Sequence, residues 1–219
     1  DPLESPSDLA GMTVGLPMPG GATSTGYRAM LRAADVDPES ITEEYIGFVQ
    51  ADAVANEQVD AAVGYAVNEP LALRERGLAV HSLEVADYLN LVANGLVVAE
   101  STVNDSPELA QGLVTATLRG IAATLEDPDA AFEIVSAIVE YGDADSRAMQ
   151  RDVLQESLRF WRPPAGQQLG SIDLAAWEET RRFMVAEELV SDAAPDPAAM
   201  VEPRFVTAAD IPAPADTDG

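Results

Sequence analysis

Up to Leu83 the apolar positions come in short runs that alternate between strand-like and helix-like character, with glycine, proline and acidic turns between them. Met12–Leu16 reads as a short strand. Pro17 to Ala22 is a glycine-rich loop, and the spacing predicts a helix from Thr23 to Ala34. Asp35-Val36-Asp37-Pro38 is a turn. Apolar residues at Ile41, Tyr45, Ile46, Phe48 and Val49 place a strand in the latter part of 41–49. Ala51–Gln58 is a short helical run, and the continuous apolar character of Val59–Tyr65 suits a buried strand of a parallel sheet. Glu69–Arg76 is helical with Gly77 as its C-cap, and Leu78–Leu83 reads as a further strand. This alternation implies a parallel or mostly parallel open sheet.

Beyond Asp87 the pattern changes. Leu91–Val98 reads as a strand broken by Asn94-Gly95, and almost everything after it is helical. Pro107 opens a helix whose apolar face is Leu109, Leu113, Leu118, Ile121 and Leu125, and Asp127-Pro128 interrupts it. A second helix carries Phe132, Ile134, Val135, Ile138 and Val139, and a third runs from Asp145 to Trp161. Pro163-Pro164-Ala165-Gly166 breaks the chain before a last amphipathic helix over Ile172–Val190, with Leu174, Trp177, Phe183, Met184 and Leu189 near its apolar side. Trp161 and Trp177 are assigned to packing. From Ser191 the chain is rich in Pro, Ala and Asp and is expected to be extended, with its last few residues disordered. The expected organisation is an α/β lobe over 1–90, a crossover strand with helices over 91–190, and a tail over 191–219.

Composition narrows the function classes. The 219 residues, 47% hydrophobic, suffice for one large domain or two small lobes, and no apolar run reaches the length of about 18 residues that suggests a membrane span. Twelve arginines, no lysine and 38 acidic residues give a formal charge of -26. Such a surface repels nucleic acid and anionic lipid, and it resembles proteins of extreme halophiles, where concentrated salt screens the self-repulsion. With no cysteine, thiol nucleophiles, thiolate metal sites and disulfides are excluded. His81 is the single histidine, read as a structural residue at a strand edge or in a loop; no cofactor or metal is expected. The chain opens on Asp1, and the expectation is a processed or excised piece with any export signal upstream.

Two loops, Pro17–Thr25 and Tyr65–Glu69, follow strands and precede helices, so they belong at the carboxyl edge of the sheet, where open α/β sheets bind ligands. A helix start leaves about four N–H groups without partners and carries roughly half a positive charge. Gly20 and Gly21 permit close approach of a ligand. The hydroxyls of Thr23, Ser24 and Thr25 either cap the helix or serve as ligand donors.

Four stretches in order resemble the solute-binding proteins of ABC importers, in the periplasmic-binding-protein type II branch related to thiamine-pyrimidine-precursor synthesis and uptake, with riboflavin and alkanesulfonate relatives. They are Ser7–Gly15, similar to the family's "DL-x-GK-x-VG"; Gln58–Tyr65 with Asn68-Glu69-Pro70; Asp87-Tyr88 with Asn94–Val98; and Asn104–Leu109 leading to Arg119-Gly120 and Asp127–Ala131. Arg204-Phe205-Val206-Thr207 with Asp210-Ile211-Pro212 resembles the usual C-terminal segment. The resemblance implies a bilobed clamp in which Ser7 to about Asp87 is the second lobe and Asn94 lies on the strand returning to the first. It also implies further chain ahead of this segment to form the first lobe's sheet. A chain lacking it would need a partner chain or a missing N-terminal half to cover its helices.

The resemblance implies a transport receptor outside the cell, associated with its surface, that captures a small heteroaromatic solute and delivers it to a membrane permease without catalysis. Thr23, Ser24 and Thr25 would donate to a polar edge of that solute. Tyr65 would stack on a planar ring, or equally cover core as a sheet-edge tyrosine. Asn68 and Glu69 suit an aminopyrimidine's donors and acceptors, although an acid in a first helical turn is favoured without any ligand. Tyr88 and Asn94 would sit near the hinge, with Asn94-Gly95 equally a plain bend. Receptors for sulfonate, taurine or nitrate are the nearest alternative, weakened by the lack of arginine in either loop. A pyrimidine-precursor synthase of the same superfamily is disfavoured because its motif needs cysteine. A truncated subunit completed by another chain is the third reading.

Overall fold

Thr13–Leu16 (β1) lies in the middle of a three-stranded parallel sheet, flanked by Thr42–Tyr45 (β2) and Ala61–Ala62 (β3) in the order β2-β1-β3. Thr13 stands opposite Thr42 and Leu16 opposite Tyr45, while Val14 and Gly15 pair with Ala61 and Ala62. The computed structural model describes residues 3–92, 94–209 and 211. Two compact units divide the chain: Asp1–Ala93 with Glu179–Val190, and Asn94–Glu178 with Ser191–Gly219.

In the first unit each strand runs directly into a helix: Gly21–Ala33 (α1), Gln50–Ala55 (α2) and Glu69–Glu75 (α3). The i, i+3, i+4 spacing of Tyr27, Met30 and Leu31 lays one face of α1 on Val14, Leu16, Leu9 and Ile41, which together make the core. Asp60 ties the sheet at its start, accepting from Thr13 N–H at 2.8 Å through Oδ2 while its own N–H donates to Thr13 O at 2.9 Å. Gly77, at φ +79°, ends α3 as expected, its N–H donating to Arg74 O and that of Leu78 to Leu73 O.

Four strand readings are corrected. The paired part of 41–49 is its beginning, because Gly47 turns the chain at φ +71° before Phe48. β3 is a two-residue core of the expected 59–65, although Asp60 and Val63 extend its bonding to β1. Leu78–Leu83 forms no strand, since so short a β3 offers no ladder to extend, and Leu83 packs against the core instead. The described part of 91–98 is irregular: Val97 is 93% exposed and nothing gives that run a buried face. Ala93 lies outside the described residues.

The second unit is helical: Glu100–Asp105 (α4), Pro107–Glu126 (α5), Pro128–Ser136 (α6), Ala144–Trp161 (α7), then Leu174–Ala186 (α8), whose residues from Glu179 onward belong to the first unit. Leu118, Leu125, Leu158 and Leu169 form its core with Ala209 and Ile211. The expected extended tail is corrected here, because Pro197–Met200 (α9) and Arg204–Ala209 (α10) are helices. Phe205 and Ala209, one turn apart, bury against the unit, and Gln111 Nε2 donates to Phe205 O at 2.9 Å. Asp210, Pro212 and the remaining terminal residues, like Asp1 and Pro2, lie outside the described residues. Trp161 is exposed rather than packed, and Trp177 is half-buried.

Asp127 is the N-cap of α6, its Oδ1 accepting from Ala130 N–H at 2.9 Å. Asp127→Ala is expected to cost about 1 kcal/mol of stability, read as a lower urea midpoint with unchanged slope.

Candidate ligand-binding edge at the strand exits

Parallel order places the carboxyl ends of all three strands on one edge, and three loops leave from it: Pro17–Gly20, Ile46–Val49 and Val63–Asn68. In the first, Gly20 and Gly21 both take positive φ, +87° and +77°, which admits glycine at no steric cost. α1 therefore starts at Gly21, two residues before the expected start, and the hydroxyl-cap reading falls. Gly20 is the N-cap, without a side-chain bond, and no acid lies in the first turn. The leading amides of α1 are thus neither capped by a side chain nor neutralised. Ser24 is buried and its Oγ donates to Met18 O at 2.7 Å, so its hydroxyl holds the loop. Thr23 and Thr25 are half-buried.

Ile46 leaves β2 and folds over β1. A Cβ on Gly15 would stand 2.6 Å from Ile46 Cδ1 and 3.3 Å from Val59 Cγ2, so the bare Cα is what admits both side chains. Anchored there, the loop sends Phe48 outward at 79% exposure. Buried Gln50, at the start of α2, reaches toward Val63 O at 3.5 Å and links this loop to the exit of β3. In the third loop Tyr65 is 54% exposed. Glu69 Oε2 accepts from Tyr65 N–H at 2.6 Å, and exposed Asn68 caps α3 without a side-chain bond.

The edge thus carries Met18, Tyr45, Phe48, Val49 and Tyr65, all exposed, beside the amides that open α1. Four of these five escape sequence reasoning. Gly47 between Ile46 and Phe48 was the signal for a turn that would have released Phe48. Of the expected site residues, Thr23, Ser24, Thr25, Tyr65, Asn68 and Glu69 gather at this edge. Tyr88 does not, packing instead against the core of the first unit, and Asn94 is an exposed residue of the second. None of the three exit loops contains arginine or lysine. Two grooves, of about 400 Å³ beside Tyr141 and about 820 Å³ between α1 and β2, include no exit-loop residue. Among the described residues no cluster of three or more His, Asp or Glu side chains is placed to hold a metal ion, and no helix is long and apolar enough to cross a membrane.

The NMT1/THI5-like family pattern matches residues 1–131. The chain belongs to this family. A riboflavin-binding protein, RibY of Chloroflexus aurantiacus, is 41% identical over 192 residues, covering 87% of this chain and 55% of RibY. A formylaminopyrimidine-binding protein of Halalkalibacterium halodurans is 28% identical over 199 residues, covering 85% of this chain and 57% of that protein. The chain therefore spans about half the length of the curated relatives it matches. The fold is that of the periplasmic aliphatic sulphonate binding protein SsuA from Escherichia coli, at TM-score 0.66 and 18% identity over 100% of this chain and 64% of that one. A ligand-binding component of an ABC-type import system from Staphylococcus aureus, at TM-score 0.63 and 14% identity, covers 93% of this chain and 65% of its own. The expected α/β architecture of periplasmic binding proteins stands, with a small sheet and a mostly helical remainder.

Proposed function

We propose that the chain serves as a solute-binding receptor of an ABC importer, working outside the cytoplasm at the cell surface and performing no chemistry on its solute. The solute is a small, flat heteroaromatic of riboflavin or pyrimidine-precursor type, taken at the strand-exit edge and passed to a membrane permease. One observation carries this reading: exposed Phe48 and Tyr65 stand at the exits of the two strands that flank β1, whose own exit leads to the uncapped start of α1. Aromatic side chains offer faces for stacking a planar ring. Unpartnered helix amides donate to a ring carbonyl or another acceptor. Thr23, Thr25 and Asn68 retain side-chain groups for the solute's polar edge, whereas Ser24 has committed its hydroxyl to the loop. Asp1–Ala93 with Glu179–Val190 serves as one lobe of the receptor, and Asn94–Glu178 with Ser191–Gly219 supplies helices of the other.

The names of the relatives support a heteroaromatic solute, and the absence of cationic side chains from the exit loops argues against a sulfonate, for which paired arginine bonds are the usual clamp. Titration in molar KCl, followed by quenching of riboflavin fluorescence and by calorimetry with formylaminopyrimidine, is expected to show saturable binding of one of them. Tyr65→Ala should weaken it about tenfold, the scale of one lost aromatic contact. Saturable binding of an alkanesulfonate alone, or of none of these solutes, refutes the reading.

A further inference from the structure

Tyr65 has both main-chain polar groups tied down and its ring left free. Its N–H donates to Glu69 Oε2 at 2.6 Å, and its C=O accepts from Asn68 N–H at 2.9 Å. These two bonds close the turn between the end of β3 and the first residue of α3. The Glu69 carboxylate lies where a Cβ on Gly64 would go, with its Cδ 2.6 Å and its Cγ 2.9 Å from that position, so a side chain there would push the carboxylate aside. Gly64 is thus a glycine for room. Pro70, directly after Glu69, has no N–H to offer, and Asn68 supplies no side-chain cap. The first-turn acid, which ordinarily serves the helix dipole alone, here reaches back four residues.

We propose that Glu69 is a positioning residue acting through Tyr65: its carboxylate, seated on the bare Cα of Gly64, holds the turn that presents the tyrosine ring to a flat solute. The assignment rests on the strand-exit edge being the binding surface. It differs from a direct contact of Glu69 with the solute in what it demands of variants. A hydrogen bond to a charged acceptor is worth roughly tenfold or more in an equilibrium.

In riboflavin titrations, Glu69→Ala is therefore expected to weaken binding about tenfold, and Glu69→Gln, whose amide oxygen still accepts from Tyr65 N–H, only about threefold. Gly64→Ala should match Glu69→Ala, and the two together should be no worse than either, because both release the same bond. In a Tyr65→Ala background Glu69→Ala should have no further effect. A loss in Glu69→Gln as large as in Glu69→Ala, persisting without Tyr65, means direct contact and overturns the proposal.

Amide hydrogen exchange checks the turn without any solute. The Tyr65 amide should be protected in the wild type and exchange faster in Glu69→Ala and Gly64→Ala. An unprotected Tyr65 amide in the wild type overturns the turn itself. Wild-type protein with a protected amide and no saturable riboflavin or formylaminopyrimidine binding refutes the solute reading, and presentation of the ring with it.

Discussion

Leu16→Ala is expected to lower the free energy of unfolding by about 2–5 kcal/mol, the usual cost of a large-to-small change in a closed core. Leu16 is 1% exposed, ends the central strand of the sheet, and packs in the cluster of Val14, Tyr27, Met30 and Ile41. Flanking strands on both sides of β1 leave little freedom for the site to collapse around a cavity. Its position makes the loss felt at the strand-exit edge too, since Ile46 N–H donates to Leu16 O at 2.9 Å where the chain leaves β2. Urea unfolding in molar KCl checks it, as a lower midpoint with an unchanged slope. Val97→Ala, at a site almost fully open to solvent, should stay within about 0.5 kcal/mol. Equal effects of the two would mean that the sheet is not the stabilising core of its unit.

Stability should fall by about 2 kcal/mol between pH 10 and 12, and Tyr27→Phe should abolish most of that fall. Tyr27 is 1% exposed on the buried face of α1, and its hydroxyl has no hydrogen-bond partner among the described residues. Burial, and secondarily the negative charge of Glu43, pushes the phenol up to about 12. The unfolded chain releases that proton near 10, so the folded state holds it more tightly. The contribution is complete below pH 10 and is lost as pH rises through 12. Because the hydroxyl makes no bond, Tyr27→Phe at pH 8 should leave stability unchanged or raise it by about 1 kcal/mol. Denaturant unfolding of both proteins across this range decides it; an equal alkaline decline in the variant would place the cause elsewhere.

The helical half was legible because helix boundaries are written locally. Pro107 supplies a first-turn residue that needs no N–H, and Asp127-Pro128 combines a cap with a break, so α5 and α6 begin where the residues say. Strands were less legible. The runs 41–49, 78–83 and 91–98 look alike in sequence, yet only the first has an edge of β1 to pair with. The C-terminal segment was misread for the same reason in reverse. Pro, Ala and Asp suggest an extended tail, but Phe205 and Ala209 are buried, Ala209 in the core of the second unit, and their segment coils into α10.

At the candidate site, the chain order of strand, loop and helix was enough to bring Thr23 to Thr25 and Tyr65 to Glu69 to one edge, because every parallel strand must exit on the same side. Gly20 and Gly21 read only as allowing close approach of a ligand; that both take positive φ is a finding of the structure. Residue type could not say which polar groups remain free. Ser24 and Glu69 carry suitable chemistry, but one oxygen is spent on Met18 O and the other on Tyr65 N–H, and such bonds depend on distances set only when the loops fold. Phe48 joined the edge because Ile46 was held against Gly15, a contact between two strands. The sequence by itself determined where α5 and α6 begin, the stop of α3 at Gly77 and the edge of the sheet from which the strand-exit loops leave, since these follow from the local torsions of glycine and proline and from strand polarity. Only the tertiary structure decided strand lengths, the exposed rings and the committed hydrogen bonds, since each depends on partners distant along the chain.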